Sequence, residues 1–307
     1  MKRIFSILLL LIIVSSSFAQ KVKPALHLVK GTTYYMASSA TSAIVQILNS
    51  QENNITLTYK YSMAFKVTDI LDTLYKMEVS YMDIDMKIQT AGRTIEMSSK
   101  KNDTTDIPSS IIAAMMGRPF NIMLTKSGRI KSVDNIDKMF NNVFDGFPQI
   151  DTVKKAQLKS QLMQSFGAAA FKGTFEMGTA IFPNNPVVKG DKWNINTHLE
   201  SPTGINVQTI YQLTDIAGNF YLIHGDGTMT TDKNAPLGTI NGMPMKYDLS
   251  GTTLTDIMVD KTTGWINEVK LKQVMQGSIA IQDNPKLPGG ITIPMTFNTD
   301  VLTTTEK

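Results

Sequence analysis

Cysteine is absent from this 307-residue chain. That excludes disulfides, thiolate nucleophiles, cysteine zinc ligands and a lipid-modified N-terminal cysteine. Arginine is scarce, occurring only as Arg3, Arg93, Arg118 and Arg129. Nucleic-acid binding needs clustered Lys and Arg, and no such patch exists here. A basic membrane-binding surface is excluded on the same ground. The formal charge of +4 is small for the length, and it includes Lys2 and Arg3 of the N-terminal leader described below.

The chemistry-bearing motifs are missing too. The chain has no Gly-Lys-Ser or Gly-Lys-Thr phosphate loop, no Gly-x-Ser-x-Gly elbow and no His-Glu-x-x-His helix. Gly225-Asp226-Gly227 lacks the third glycine of a dinucleotide fingerprint. His27, His198 and His224 share no ligand-like spacing and read as surface or strand residues. Asp83 and Asp85 fall on one face of a strand, where paired carboxylates could do acid–base work or bind calcium. Their reading is a solvated strand face, because a calcium loop needs more oxygen donors and a turn glycine. We therefore assign no catalytic residue, no metal ligand and no cofactor, and expect a non-enzymatic protein.

What is present begins with a leader. Lys2 and Arg3 precede an apolar run from Ile4 to Val14, and Ser17 and Ala19 are the small residues a signal peptidase reads. Cleavage before Gln20 is expected, since the run is short of the roughly 20 apolar residues of a span. No later stretch is apolar enough to cross a membrane. The mature chain is expected to be periplasmic or secreted, not lipid-anchored.

Three landmarks occur twice in the same order. Val29-Lys30-Gly31-Thr32-Thr33-Tyr34 matches Val188-Lys189-Gly190-Asp191-Lys192-Trp193. Phe65-Lys66-Val67-Thr68-Asp69-Ile70 matches Tyr211-Gln212-Leu213-Thr214-Asp215-Ile216. Ile122-Met123-Leu124 with Gly128, Ile130 and Val133 matches Ile257-Met258-Val259 with Gly264, Ile266 and Val269. This recurrence predicts an internal duplication. The expected organisation is a signal peptide at 1–19, a β-rich module at 20–133, a helical insert at 134–186 and a second β-rich module at 187–307.

Ile55 to Val67 alternates apolar and polar residues without a break, the mark of a strand with one buried face. A second strand puts Tyr75, Met77, Val79 and Tyr81 on one face. The apolar set then shifts to Met82, Ile84, Met86 and Ile88, as a β-bulge at Tyr81-Met82 would produce. Helices are expected at Pro108–Met116, around Ile136–Val143, at Thr152–Phe166 and from Gly167 to Ala180. Along Thr152–Phe166, Val153, Ala156, Leu158, Leu162 and Met163 are placed on the apolar side. Ile291 to Phe297 alternates again, and Pro294 within it predicts an edge strand. Residues 303–307 are expected to fray.

Methionine is frequent, with 19 in the chain. Its flexible, polarizable side chain suits surfaces that accept varied apolar partners, as well as irregular cores. Together with the tyrosines it defines a candidate ligand groove of Tyr59, Tyr61, Met63, Phe65, Met77, Tyr81, Met115 and Met163. Two functions follow. One is binding of a lipid, acyl chain or other apolar ligand; the other is a structural or interaction module that docks an envelope protein partner. A hydrolase is a remote third reading, with no acid or base to nominate. An internal cavity lined by Met and Tyr favours the first, and a solid core with a large exposed apolar patch favours the second.

Gly117-Arg118-Pro119-Phe120 with the Ser127-Gly128 hairpin, Phe182-Pro183-x-x-Pro186 and Val188–Trp193 resemble an uncharacterised family of exported Bacteroidetes proteins, catalogued only as a domain of unknown function. The resemblance covers nearly all of the mature chain and implies an envelope location. On that bacterial reading Asn54-Ile55-Thr56 and Asn102-Asp103-Thr104 match the glycosylation pattern by chance. The expected fold is α+β, two tandem curved antiparallel sheets with helices against their apolar faces. That outline looks like half-barrel lipoprotein-carrier folds or tandem lipid-binding modules.

Overall fold

Long alternating segments make long strands. In the computed structural model, Ile55–Val67 lies within β2 (Gln51–Leu71), which pairs along its length with β1 (Thr33–Leu48) and with β3 (Leu74–Thr90). The structure describes residues 21–305 other than 102, 104, 201–203, 236, 241 and 242. The expected signal peptide, its cleavage site and residues Asn102 and Thr104 lie outside the described residues.

The remaining strands are β4 (Arg93–Ser98), β5 (Phe120–Thr125), β6 (Ile130–Asp134), β7 (Lys192–Leu199), β8 (Ile205–Ala217), β9 (Phe220–Thr231), β10 (Gly238–Ile240), β11 (Met243–Asp260), β12 (Ile266–Ile281) and β13 (Ile291–Thr304). All of them join one 13-stranded antiparallel sheet in the order β6-β5-β3-β2-β1-β13-β12-β11-β9-β8-β7, with β4 on β3 and β10 on β11. The two separate modules and the α+β class expected from the sequence are thereby corrected. β13 pairs with β1 from Ala37↔Thr304 to Gln46↔Met295, so the sheet runs unbroken between the two halves. The physical reason is that β1 and β13 would each otherwise expose a long row of unpaired backbone groups. Strand accounts for 57% of the chain and helix for 17%, which makes this a mainly β fold with a helical cover.

The repeated landmarks do share local geometry. Gly31 N–H donates to Val67 O and Gly190 N–H to Leu213 O, both at 2.8 Å. Lys30 pairs with Asp69 and Lys189 with Asp215, both at 2.7 Å. Similar short motifs build similar strand ends, and pairing then fuses both halves into one sheet.

Pro294 is explained by the same register. β13 is an interior strand, which overturns the expected edge assignment, but its pairing with β1 stops at Met295. Proline therefore sits one residue beyond the doubly paired stretch, where a missing donor is tolerated. The expected fraying is also corrected as far as the chain is described. Thr303 is buried and its hydroxyl meets that of Ser38 at 2.8 Å, while Thr305 N–H donates to Asn267 O.

Among the described residues the helices are α1 (Ile107–Met115), α2 (Ile136–Asp145), α3 (Thr152–Phe166) and α4 (Ala168–Thr179). Asp106 caps α1 through Ser109 N–H at 3.2 Å, and Asp151 caps α3 through Lys154 N–H at 2.9 Å. Only Phe166 of α3 is fully buried, and Val153 is 80% exposed, so that helix rides on the surface instead of packing a whole face.

The sheet curls. Laid flat, ten strand spacings of about 4.8 Å would hold β6 and β7 roughly 48 Å apart. Yet α4 touches both strands, and Arg129 beside β6 donates to Asn196 O of β7 at 2.8 Å. α4 thus fills the gap between the sheet's two ends. Glu176 of α4 accepts the Ile130 N–H of β6 at 2.7 Å, and Thr179 donates to Gly128 O at 2.8 Å. The N-terminal segment stitches the same end of the molecule: Val22 bridges Val187, Leu26 N–H donates to Lys126 O and His27 N–H to Thr263 O. Two glycines are required by these contacts. A Cβ on Gly128 would lie 1.8 Å from Thr179 O, and one on Gly264 1.9 Å from Ala25 O; both have positive φ.

Candidate functional site

On the inner, helix-covered face, alternate residues of the paired strands line up in rows. One row runs Tyr61–Ser38–Thr303–Val269, and the next Tyr59–Ala40–Val301–Leu271. The bulge opposite Ser62/Met63 leaves Met82 as the extra residue and returns Ile84 to the inner face. Met82 is 51% exposed, so it leaves the apolar set in which the sequence pattern had placed it.

Between this floor and α4 lies a cavity of about 420 Å³. Its walls are Met36, Tyr59, Tyr61, Met63, Phe65 and Tyr81 from β1–β3, and Val269, Leu271, Gln273, Val301 and Thr303 from β12 and β13. α4 supplies the roof with Phe171, Phe175 and Met177, and Leu199 of β7 closes one side. Phe171 and Phe175, four residues apart, share one helix face and stack with centroids 5.7 Å apart. Phe175 lies 5.2 Å from Phe65, and Phe171 lies 5.0 Å from Phe120, which ties the roof to the floor. Gly173 and Gly178 also face the cavity, and a Cβ on either would meet nothing closer than 3.5 Å.

None of the lining side chains is charged at neutral pH. Burial raises the Tyr59, Tyr61 and Tyr81 hydroxyls above the usual phenol range, so all three stay protonated. The polar groups are neutral: these hydroxyls, those of Ser165, Thr174 and Thr303, and the amides of Gln164 and Gln273, the last of which donates through Nε2 to Met229 Sδ at 2.9 Å.

The structure brings together Tyr59, Tyr61, Met63, Phe65 and Tyr81 of the sequence-derived groove. It separates the other members. Met77 and Met115 are fully buried in the packed core, and Met163 packs partly buried against that core without lining the cavity. The roof and the β12–β13 wall were missed. The Phe171/Phe175 spacing with Gly173 and Gly178 between and after them was the signal that could have found the roof.

The other polar clusters lie elsewhere. His224 on the outer face meets Asp256 at 2.6 Å and Asp226 at 3.5 Å; the Asp256 hydrogen bond leads in raising its pKa. His198 meets Asn206 at 2.8 Å on the exposed edge. Asp83 accepts from Ser62 and Asp85 from Ser98, with Lys100 about equally near to both, a solvated face as expected. Among the described residues no group of three or more His, Asp or Glu side chains could hold a metal ion.

Residues 72–266 match the family of unknown function DUF6263. The match spans more than half of the chain, and the protein belongs to that family. No curated protein matches it. Among solved structures, 92% of the chain aligns with lipovitellin, in a structure of its lipid–protein interactions, at 9% identity and a TM-score of 0.49. It covers only 26% of that protein, so the chain spans about a quarter of this relative's length. An outer membrane channel from Pseudomonas putida F1 aligns over 95% of this chain and 100% of its own, at 6% identity and a TM-score of 0.27. The outer membrane protein OprG from Pseudomonas aeruginosa gives 90% and 95%, at 7% identity and a TM-score of 0.23. Likeness this remote supports no functional reading. Among the described residues no helix is long and apolar enough to cross a membrane.

Proposed function

We propose that this is an exported, non-catalytic binding protein that holds an apolar ligand, such as a lipid or acyl chain, between its sheet and α4. The observation that carries this reading is the 420 Å³ cavity lined by Met, Tyr and Phe without a charged group. Its size falls in the roughly 300–1,000 Å³ range of small-molecule sites. At about 30 Å³ for each water-sized group, it accommodates a chain of roughly a dozen carbons. Met36, Met63 and Met177 give it an adaptable wall.

The outer face supports an aqueous setting, in keeping with a periplasmic or secreted location. Asp226, Asp256, Lys270, Lys272 and Asp300 alternate with more buried, inward-facing residues there, and such charges are costly on a lipid-facing barrel wall. The non-catalytic reading rests on chemistry: the cavity carries hydroxyls and the amides of Gln164 and Gln273 but no base to activate them, and His224 lies on the opposite face.

The test is to express the chain with its leader, purify the exported protein without detergent, and analyse an organic extract by mass spectrometry. A stoichiometric apolar molecule is expected. A clean extract, together with no thermal stabilisation on adding acyl-chain lipids, contradicts the reading and favours a docking module.

A further inference from the structure

The polar groups in the cavity say what kind of apolar molecule fits. Tyr81 is 4% exposed and lines the cavity, yet its hydroxyl has no hydrogen-bond partner among the described residues. The Tyr59 hydroxyl, on the same wall, also lacks one. Their rings are fixed by Phe166, which lies 5.8 Å from Tyr81 and 5.9 Å from Tyr59. Two oriented phenol groups therefore point their chemistry at whatever occupies the cavity. Across it, among the described residues, the Gln273 amide is met only by the thioether sulfurs of Met229 and Met275, which are weak acceptors. Among the described residues Thr253 Oγ1 is the one fully buried side-chain polar atom without a partner, so the two tyrosine hydroxyls reach the open space of the cavity, where a ligand carrying its own hydrogen-bonding group can meet them. Among the described residues no lysine, arginine or histidine lines the cavity to balance a buried anion, and no carboxylate to balance a cation.

Resting on the binding reading above, we propose that the ligand is an uncharged amphiphile, an aliphatic chain bearing a hydroxyl or carbonyl group, hydrogen-bonded by Tyr81 and Tyr59. Charged fatty-acid carboxylates are discriminated against, because nothing in the cavity replaces the water they would lose.

The experiment is competition against the neutral fluorophore N-phenyl-1-naphthylamine at neutral pH, using 1-decanol, 1-chlorodecane and decanoate as displacers. All three carry the same chain and differ in the end group. The expected result is that 1-decanol displaces the fluorophore at about tenfold lower concentration than either of the others. Tyr81→Phe removes only a hydroxyl without a protein partner, so the fold is retained. It is expected to shrink the preference for 1-decanol over 1-chlorodecane, and Tyr81→Phe combined with Tyr59→Phe to abolish it. Decanoate matching or exceeding 1-decanol would overturn the proposal while leaving an apolar binding site in place. So would a decanol preference that survives both Tyr81→Phe and Tyr59→Phe. If neither the fluorophore nor any chain binds, the binding reading fails, and this one with it.

Discussion

Gly173 and Gly178 of α4 give a direct way to ask whether the space beneath that helix is real. Glycine inside a helix is less favourable than alanine by about 1 kcal/mol, because its backbone loses more freedom on folding. At Gly173 an added Cβ would lie 3.5 Å from Leu199, an ordinary van der Waals contact; at Gly178 its nearest neighbour would be Val269 at 4.0 Å. Both positions have room, so Gly173→Ala and Gly178→Ala should each stabilise the chain by about 1 kcal/mol, or about 2 together. For a chain of this size that raises the melting temperature by about 4 °C. Urea titration followed by tryptophan fluorescence reads the free energy, with an unchanged slope showing that both states are otherwise the same. If either substitution destabilises by about 1 kcal/mol or more, the roof is packed tight and the cavity does not exist as described.

Four other outcomes follow. Gly178→Leu places a branched side chain into the cavity; urea titration should show a folded protein, and competition with N-phenyl-1-naphthylamine should show at least about tenfold weaker ligand binding. Gly128→Ala drives a methyl group into the Thr179 carbonyl at a backbone conformation that disfavours side chains; denaturation should show a loss of about 3 kcal/mol or more. Glu176→Ala leaves the buried Ile130 N–H without its acceptor, which should cost about 1–3 kcal/mol in the same assay. Glu176→Gln keeps an acceptor and tests the charge. Burial raises the folded-state pKa of Glu176, so the folded chain holds more protons than the unfolded one between the two values. Wild-type stability therefore falls as pH rises from about 4.3 through the folded value. Melting curves across pH should show the glutamine variant gaining relative to wild type over that window and level with it in acid.

The parts of the fold legible in the sequence were local. Strict alternation from Ile55 to Val67 exposed the inner face of β2, and the phase change at Met82 marked the bulge, because both depend only on neighbouring residues. The helices were equally visible through spacing and caps such as Pro108 and Gly117. The joining of β13 to β1 was not, since it pairs residues as distant as Ala37 and Thr304, and nothing in either strand alone names its partner. Pro294 pointed the wrong way for that reason: it marks where one ladder ends inside an interior strand. The site divides along the same line. Tyr59, Tyr61, Met63, Phe65 and Tyr81 come from one pair of adjacent strands and could be grouped by periodicity. Phe175, Leu199, Leu271 and Gln273 meet them only after the sheet curls round α4, a consequence of long-range pairing. Met77 has the same alternating strand signature as Met63 and Met115 sits on an apolar helix, and only the tertiary packing leaves both away from the cavity that Met63 lines.

The most direct measurement uses Trp265, whose ring packs 5.4 Å from Phe65 and 6.4 Å from Phe175, both in the cavity wall. In a Trp193→Phe chain Trp265 is the sole tryptophan, and 11-bromo-1-undecanol carries a heavy-atom quencher on a chain that fits the cavity. Saturable, one-to-one quenching of Trp265, reversed by 1-decanol and abolished by Gly178→Leu, is the predicted result. Quenching that rises linearly without saturation, or that Gly178→Leu leaves intact, would show that no ligand enters between the sheet and α4.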